Sequence, residues 1–451
     1  MKNILWNPPE PSKTQMAQFM YRVNQVYGLD MNSYDELFNW SVNHIPDFWG
    51  QIWDYAEIKH SIPHSTVIDD VTKMPGAKWF SGAKLNFSEN LLRYRDEQQA
   101  IVFKGEGQPI RSMTYSELFS EVEKLAHSLR ELGIQKGDRI AGFIPNMPEA
   151  IIAMLAAVSI GAVWSSSSPD FGIKGVLDRF SQIEPRIIFS SNGYYYNGKE
   201  FDTLKKLKGI LKNLPSVEKV VIVEYVNSGF DVKDIGNAVL YQDFIASDPE
   251  PLLFDQLPFD HPLYILYSSG TTGLPKSIVH GAGGTLLQHM KELHLHCDLT
   301  RADTIFYFTT CGWMMWNWLV SSLAVGATVV LYDGSPLYPD KNAMWDMADE
   351  LGITVFGTSA KFIDACNDAN VRPGENSDLS NLRAILSTGS PLVDENFDYI
   401  YEHIKSDILL GSISGGTDII SCFAVANPML PVYRGELQCR GLAIDVHAYS
   451  P

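Results

Sequence analysis

Two periods of apolar residues alternate along most of this chain, and each predicts a different element. Short apolar runs at 139–144, 186–189, 219–223, 263–267, 304–308, 328–332, 353–356 and 384–387 read as buried strands. Between them, apolar residues recur at helical spacing. Thr114-Tyr115-Ser116-Glu117 has the spacing of a capping box. Leu118, Val122, Leu125, Leu129 and Leu132 then fall on one face, and Gly133 ends the helix. The mostly apolar stretch 148–158 suits a helix buried all round. Strands alternating with helices predict an α/β fold built on parallel sheets covered on both faces.

The pattern also suggests divisions. Residues 1–95 are rich in aromatics, among them Trp40, Phe48, Trp49, Trp53, Trp79 and Phe80, and read as a helical leader or cap held by ring packing. Residues 96–255 and 256–427 read as two α/β subdomains. The polar, turn-rich stretch 228–260 reads as their connection. Residues 428–451 suggest short strands that open a smaller β subdomain without completing it.

A formal net charge of −18 argues against nucleic acid or an anionic membrane surface as partner. Five cysteines with no CxxC pair fit a reducing cytoplasm. The amino terminus lacks a secretory apolar core, and the apolar segment 150–164 is too short to span a bilayer.

Candidate chemistry concentrates where the run 263–267 empties into Ser268, Ser269, Gly270, Thr271, Thr272 and Gly273, then Pro275-Lys276. Glycines allow close backbone approach, hydroxyls and free N–H groups donate, and a lysine supplies charge: the chemistry of a phosphate cradle. It is not a Walker loop, because Pro275 stands where that motif needs glycine. Such turns after strands are also common as plain turns. A cluster of His289, His294, His296 and Cys297 offers zinc-type ligands, but at a spacing that matches no standard site.

The ten-residue string YSSGTTGLPK resembles the phosphate-binding signature of the adenylate-forming enzymes, a group that includes acyl-CoA synthetases, adenylation domains and luciferases. The resemblance extends over nearly the whole chain. WSVNHIPDFW and WFSGAKLNFSENLL look like the leader of the acetyl- and acetoacetyl-CoA synthetase branch. It implies the fold of the large amino-terminal domain of that group, and contacts from Ser268 through Gly273 and Lys276 to the β- and γ-phosphates of ATP. TTCGWMMWNW, which composition alone would assign to core, implies an acyl-pocket wall of Trp313, Met314 and Met315. STGSPLV gives Gly389, Ser390 and Pro391 to the nucleotide and Thr388 to the acid. SISGGTD adds Ser412, Ser414 and Thr417 as nucleotide contacts, with Thr417 near the α-phosphate and Asp418 on Mg²⁺. Most members carry glutamate at that last position. Gly415 stands where acetyl-CoA synthetases carry tryptophan, which implies room for an acid larger than acetate. Glycine there also suits a backbone requirement.

The implied reaction is acetoacetate + ATP + CoA to acetoacetyl-CoA + AMP + pyrophosphate through an acyl-adenylate, with Lys276 and Thr417 as catalytic residues. Two departures stand beside it. The family's ribose-binding TGD motif, hinge and lysine-bearing small domain have no match after Asp418, so the chain reads as an amino-terminal portion with little turnover of its own. Only Lys199 remains where the related coenzyme A loop carries arginine, in NGYYYNGK. Alternatives are a ligase for another short-chain acid, a member with a different acceptor, and a non-catalytic ATP-binding fragment.

Overall fold

The capping box at Thr114 sets where the longest helix begins. Thr114 Oγ1 accepts from Glu117 N at 3.1 Å, and Glu117 accepts from Thr114 N at 2.8 Å, so two amides left over at the helix start are satisfied. The helix runs Tyr115–Glu131 and buries Leu118, Val122, Leu125 and Leu129 completely. Gly133 then takes a left-handed φ of +80° that a side chain would resist. Helix Pro148–Ser159 is buried at every position but Glu149, which pairs with Arg111 at 2.8 Å. The structure, a computed structural model, describes residues 3–227, 231–268 and 273–449.

Two sheets follow one plan. The first has strand order Ala238–Leu240, Lys219–Val223, Ile187–Ser191, Arg139–Phe143, Val163–Ser167, Pro262–Ser268, Lys276–Gly281. The second has Leu409–Ser412, Ala384–Thr388, Val355–Ser359, Thr304–Tyr307, Thr328–Asp333, Gln99–Gly105, Arg111–Thr114. In each, the first six strands are parallel and the last is an antiparallel hairpin partner. One continuous apolar core touches both sheets, and a smaller one lies under helices Ile173–Phe180 and Leu204–Leu211.

Sheet membership crosses the division at residue 255 that the sequence suggests. Strands Gln99–Gly105 and Arg111–Thr114 precede it yet belong to the second sheet, and the hairpin 262–281 follows it yet closes the first. An apolar run states that a strand is buried but not which neighbour it pairs with. The stretch 228–260 is likewise more than a connection, since Ala238–Leu240 forms the edge of the first sheet. Strand Val432–Tyr433 pairs with Ile4–Trp6, and Cys439–Arg440 pairs with Ser421–Val425, so the last residues are stitched to the first ones and to the site.

The leader packs as rings on rings. Helix Gln15–Tyr27 supplies Phe19, Tyr34–Asn43 supplies Phe38 and Trp40, and Ile45–Tyr55 supplies Phe48 and Trp53. Phe80 is stacked between Trp53 and Phe259, with centroids 4.9 and 4.7 Å away, and ties the leader to the strand that enters the phosphate loop. Phe80→Ala should therefore cost about 3–5 kcal/mol. Urea unfolding followed by tryptophan fluorescence would show it as a lower midpoint at unchanged slope.

Candidate active site

Both sheets end their parallel strands toward chemistry, as open α/β sheets do. Three segments leave the carboxyl ends of Thr304–Tyr307, Ala384–Thr388 and Leu409–Ser412 and enclose a cavity of about 440 Å³. It is lined by Trp313, Met314 and Met315, by Thr388, Gly389, Ser390 and Pro391, and by Ser412, Ser414, Gly415 and Thr417. The residues expected from three separate motifs to meet the acid and the nucleotide thus share one space. Met315 is buried, and Trp313 lies edge-on to Tyr307 at 6.0 Å. Gly389 has φ +94°, and a Cβ there would sit 3.9 Å from the Trp313 ring across the cavity. The Thr388 hydroxyl donates to Ile413 O at 3.0 Å, which fixes the second strand end to the third.

Of the residues expected to meet phosphate, Ser268, Gly273 and Lys276 stand apart from this lining. Ser269, Gly270, Thr271 and Thr272 lie outside the described residues. Ser268 and Lys276 face each other at the open end of the hairpin, Lys276 is exposed, and Gly273 has φ +150° in open space. The strand Pro262–Ser268 packs against the turn Thr417–Ile419. His280, on the other strand of the hairpin, meets the Thr417 backbone; burial lowers its pKa against the pull of that bond and of Asp418. The hairpin strands and the Thr417-Asp418 pair are therefore neighbours, although Asp418 does not line the cavity and is exposed. The Thr-Asp pair begins a 3-10 turn, Thr417–Ile419.

Gly415 answers to a backbone constraint. A Cβ on it would lie 2.3 Å from Ser421 O and 2.8 Å from Cys422 Cα, both on the neighbouring strand. Any side chain there displaces that strand first. Gly416 has nothing within 4 Å of a Cβ.

Sequence reasoning missed Gly435, Glu436, Leu437 and Cys422, which line the cavity together with Leu392, Ile413 and Gly416. Gly435 reaches the cavity because Arg434 is clamped by Asp398 at 2.8 and 2.6 Å and by Asp394. No local signal announces an ion pair across that separation. The four-residue cluster around His289 is divided among protein partners. His289 bonds Ser321 and Ile420 O, His294 bonds Gln15, and His296 bonds Ala426 O. Burial lowers His289 and His294 to about 4 and His296 to about 3. Among the described residues no group of three or more His, Cys, Asp or Glu could hold a metal ion.

A second cavity, of about 410 Å³, lies beside Tyr194–Tyr196, Thr309, Thr310 and Asp333. Lys199 pairs with Tyr196 across the hairpin 193–202 and is exposed. Glu106 grips the hairpin turn by accepting from Asn197 N at 2.9 Å, from Gly198 N, and from Ser335 N at 2.8 Å. Burial, then repulsion from Glu106, pushes the Asp333 carboxyl up to about 7, against the Tyr225 hydroxyl and the Tyr195 amide.

Two outcomes follow from this geometry. Gly415→Ala should lose about 1–3 kcal/mol through the strand it displaces, whereas Gly416→Ala should change stability by less than about 0.5 kcal/mol. Thermal melts of the pair check it. A carboxyl whose pKa is raised on folding stabilises below its unfolded value and loses that contribution as pH rises through the folded value. Asp333→Asn should therefore be more stable than the parent near pH 8, by on the order of 2–4 kcal/mol, with the gap closing by about pH 4. Denaturation at both pH values decides.

The geometry has counterparts in known proteins. Residues 87–430 match the family described as AMP-binding enzyme, and 34–91 match the acetyl-coenzyme A synthetase N-terminus. The chain is 48% identical over 457 residues to the acetoacetyl-CoA synthetase of Danio rerio, covering 99% of this chain and 68% of that one. It is 43% identical to the malonamoyl-CoA synthetase vrtB of Penicillium aethiopicum, covering 100% of this chain and 66% of that one. The solved acetoacetyl-CoA synthetase from Streptomyces lividans superposes with TM-score 0.94 at 40% identity, over 99% of this chain and 70% of that one. No helix among the described residues is long and apolar enough to cross a membrane. The chain belongs to the AMP-binding enzyme family, among the acyl-CoA synthetases, acid–thiol ligases whose small-molecule ligands are ATP or AMP and coenzyme A.

Proposed function

We infer that this protein is an ATP-dependent ligase that activates acetoacetate and passes it to coenzyme A. The observation that carries the reading is the single cavity of about 440 Å³ in which the Trp313–Met315 wall meets the Gly389–Pro391 turn and Thr417. An acid and the α-phosphate of a nucleotide would meet there. Relatives named for acetoacetyl- and malonamoyl-CoA both take acids with a carbonyl on the third carbon and equal numbers of heavy atoms. That chemistry favours a short, polar-tipped acid over a plain fatty chain.

The first step needs no general base, because the acid is ionised at neutral pH. A carboxylate oxygen bonds to the α-phosphorus, the bond to the bridging oxygen breaks, and pyrophosphate leaves. Catalysis is then positioning and neutralisation of developing charge. In this reading Lys276 and the residues Ser268 to Gly273 would bind the leaving phosphates, and Thr417 the α-phosphate. Gly389, Ser390 and Pro391 pack on the adenine, with Ser412 and Ser414 beside the nucleotide. Trp313, Met314, Met315, Thr388 and Gly415 surround the acyl chain. An exposed carboxylate at Asp418, beside open space at Gly416, suits Mg²⁺, which takes one or two carboxylates plus phosphate oxygens and would offset phosphate charge. In the second step the coenzyme A sulfur bonds to the acyl carbonyl carbon, the carbon–oxygen bond to AMP breaks, and AMP leaves. The cavity beside Tyr194–Tyr196 opens next to Thr309 and Thr310, which precede the acyl wall, and is the approach we assign to the thiol arm. Five free cysteines, four of them buried, suit a reducing cytoplasm.

Calorimetry on this chain tests the reading. A non-hydrolysable acetoacetyl-sulfamoyl adenosine should bind at least about tenfold more tightly than AMP, and Lys276→Ala should weaken ATP about tenfold while leaving AMP unchanged. Equal affinity for the acetyl and acetoacetyl compounds would overturn the choice of acid. No binding of either would overturn the site.

A further inference from the structure

The acyl wall is held from behind by a carboxylate that no motif announced. Glu292 is buried where helix Ala282–Lys291 loosens into a π turn, Glu292–His296. Loosened turns of this kind re-aim side chains and recur near functional sites. Its Oε1 accepts from Ser421 Oγ, from Cys422 N at 3.2 Å and from Gln288 Nε2 at 3.1 Å. Its Oε2 accepts from Trp318 Nε1 at 2.9 Å. Ser421 and Cys422 are the residues that pair with Gly416 and Gly415. Trp318 stands on helix Met314–Val320, whose first turn carries Met314 and Met315 into the cavity. One carboxylate therefore joins the two walls of the pocket without lining it.

Burying a carboxylate carries a large desolvation cost that an apolar side chain of equal volume would avoid. Four donors from three elements recover that cost only if all stay in place. His289, one turn earlier, adds a bond to Ile420 O at 2.9 Å, so the helix grips residues 420, 421 and 422 in succession. Cys422 lines the cavity, and its Sγ lies 3.0 Å from where a Gly415 Cβ would be.

The geometry points to Glu292 as a positioning residue for acyl selection. Acting through Ser421, Cys422 and Trp318, it fixes the spacing of the strand Ser421–Val425 from the Trp313–Met315 wall, and Cys422 Sγ thereby becomes the group that limits chain length. The inference rests on reading this cavity as the acyl site.

The test uses the chain as it stands. Calorimetric affinities are measured for AMP and for acetyl-, acetoacetyl- and hexanoyl-sulfamoyl adenosine. Glu292→Ala should weaken the acetoacetyl compound about tenfold with AMP changed less than about twofold, and Glu292→Gln, which keeps an acceptor for Ser421 and Cys422 but sets an NH2 against Trp318 Nε1, should restore part of it. Cys422→Ala should improve the hexanoyl compound relative to the acetoacetyl one about threefold or more. Should Glu292→Ala lack a cooperative melt, Ser421→Ala takes its place and should weaken the acetoacetyl compound about threefold at constant AMP affinity. Equal losses for AMP and the acyl compounds, or an unchanged chain-length order in Cys422→Ala, overturn the inference. A parent protein that binds no acyl compound better than AMP overturns the reading of the cavity instead.

Discussion

A parallel strand with both edges hydrogen-bonded and both faces packed has only its ends left for a ligand. Two sheets here impose that constraint, each with six parallel strands and one antiparallel edge. The three segments around the cavity lined by Trp313, Gly389 and Thr417 are continuations of strand ends in the second sheet, and the Ser/Thr/Gly stretch after Ser268 follows a strand end in the first. Glycine, serine and threonine recur in those continuations, residue types that let backbone pass close to a ligand and offer donors to it. The helix Pro148–Ser159, apolar all round, and the leader's stacked rings complete the cover that makes the strand ends stationary.

The local content of this arrangement was legible in the sequence. The capping box at Thr114, the buried helix from Pro148 and the strand runs at 219–223 and 384–387 all form within a residue or two of where their periods put them. The motifs at 313–315, 388–391 and 412–417 also meet in one cavity. Partnership was not legible. Periodicity carries no information on which edge a strand joins, so the hairpin 262–281 and the strands at 99–114 fell on the wrong side of the suggested division. Gly435 enters the site through ion pairs of Arg434 with Asp394 and Asp398, and Glu292 through bonds to residues far along the chain. Such contacts exist only after folding, and each involves a residue type that, read alone, suggests solvent exposure.

Charge sharpens the division of labour within the molecule. A protein of net charge −18 that accepts a polyphosphate must keep its carboxylates occupied near the ligand. Glu292 takes four donors and Glu106 three backbone amides. Asp333, in the neighbouring cavity, is held closer to neutrality by burial. Lys276 by contrast is exposed at the open end of its hairpin.

The size of the acyl space is better understood from the backbone than from a missing side chain. Comparison by sequence sets Gly415 against tryptophan and suggests that a ring was simply removed. The Cβ direction at Gly415 leads instead into Ser421 O and Cys422 Cα. No ring could be added along it unless the strand Ser421–Val425 moved away and took Cys422 with it. Glycine is the permission for a close approach, and the approach decides where the wall stands. On the proposed reading of the cavity, acid selection in this protein is then a property of how one short strand is seated, a property distributed over the residues that seat it.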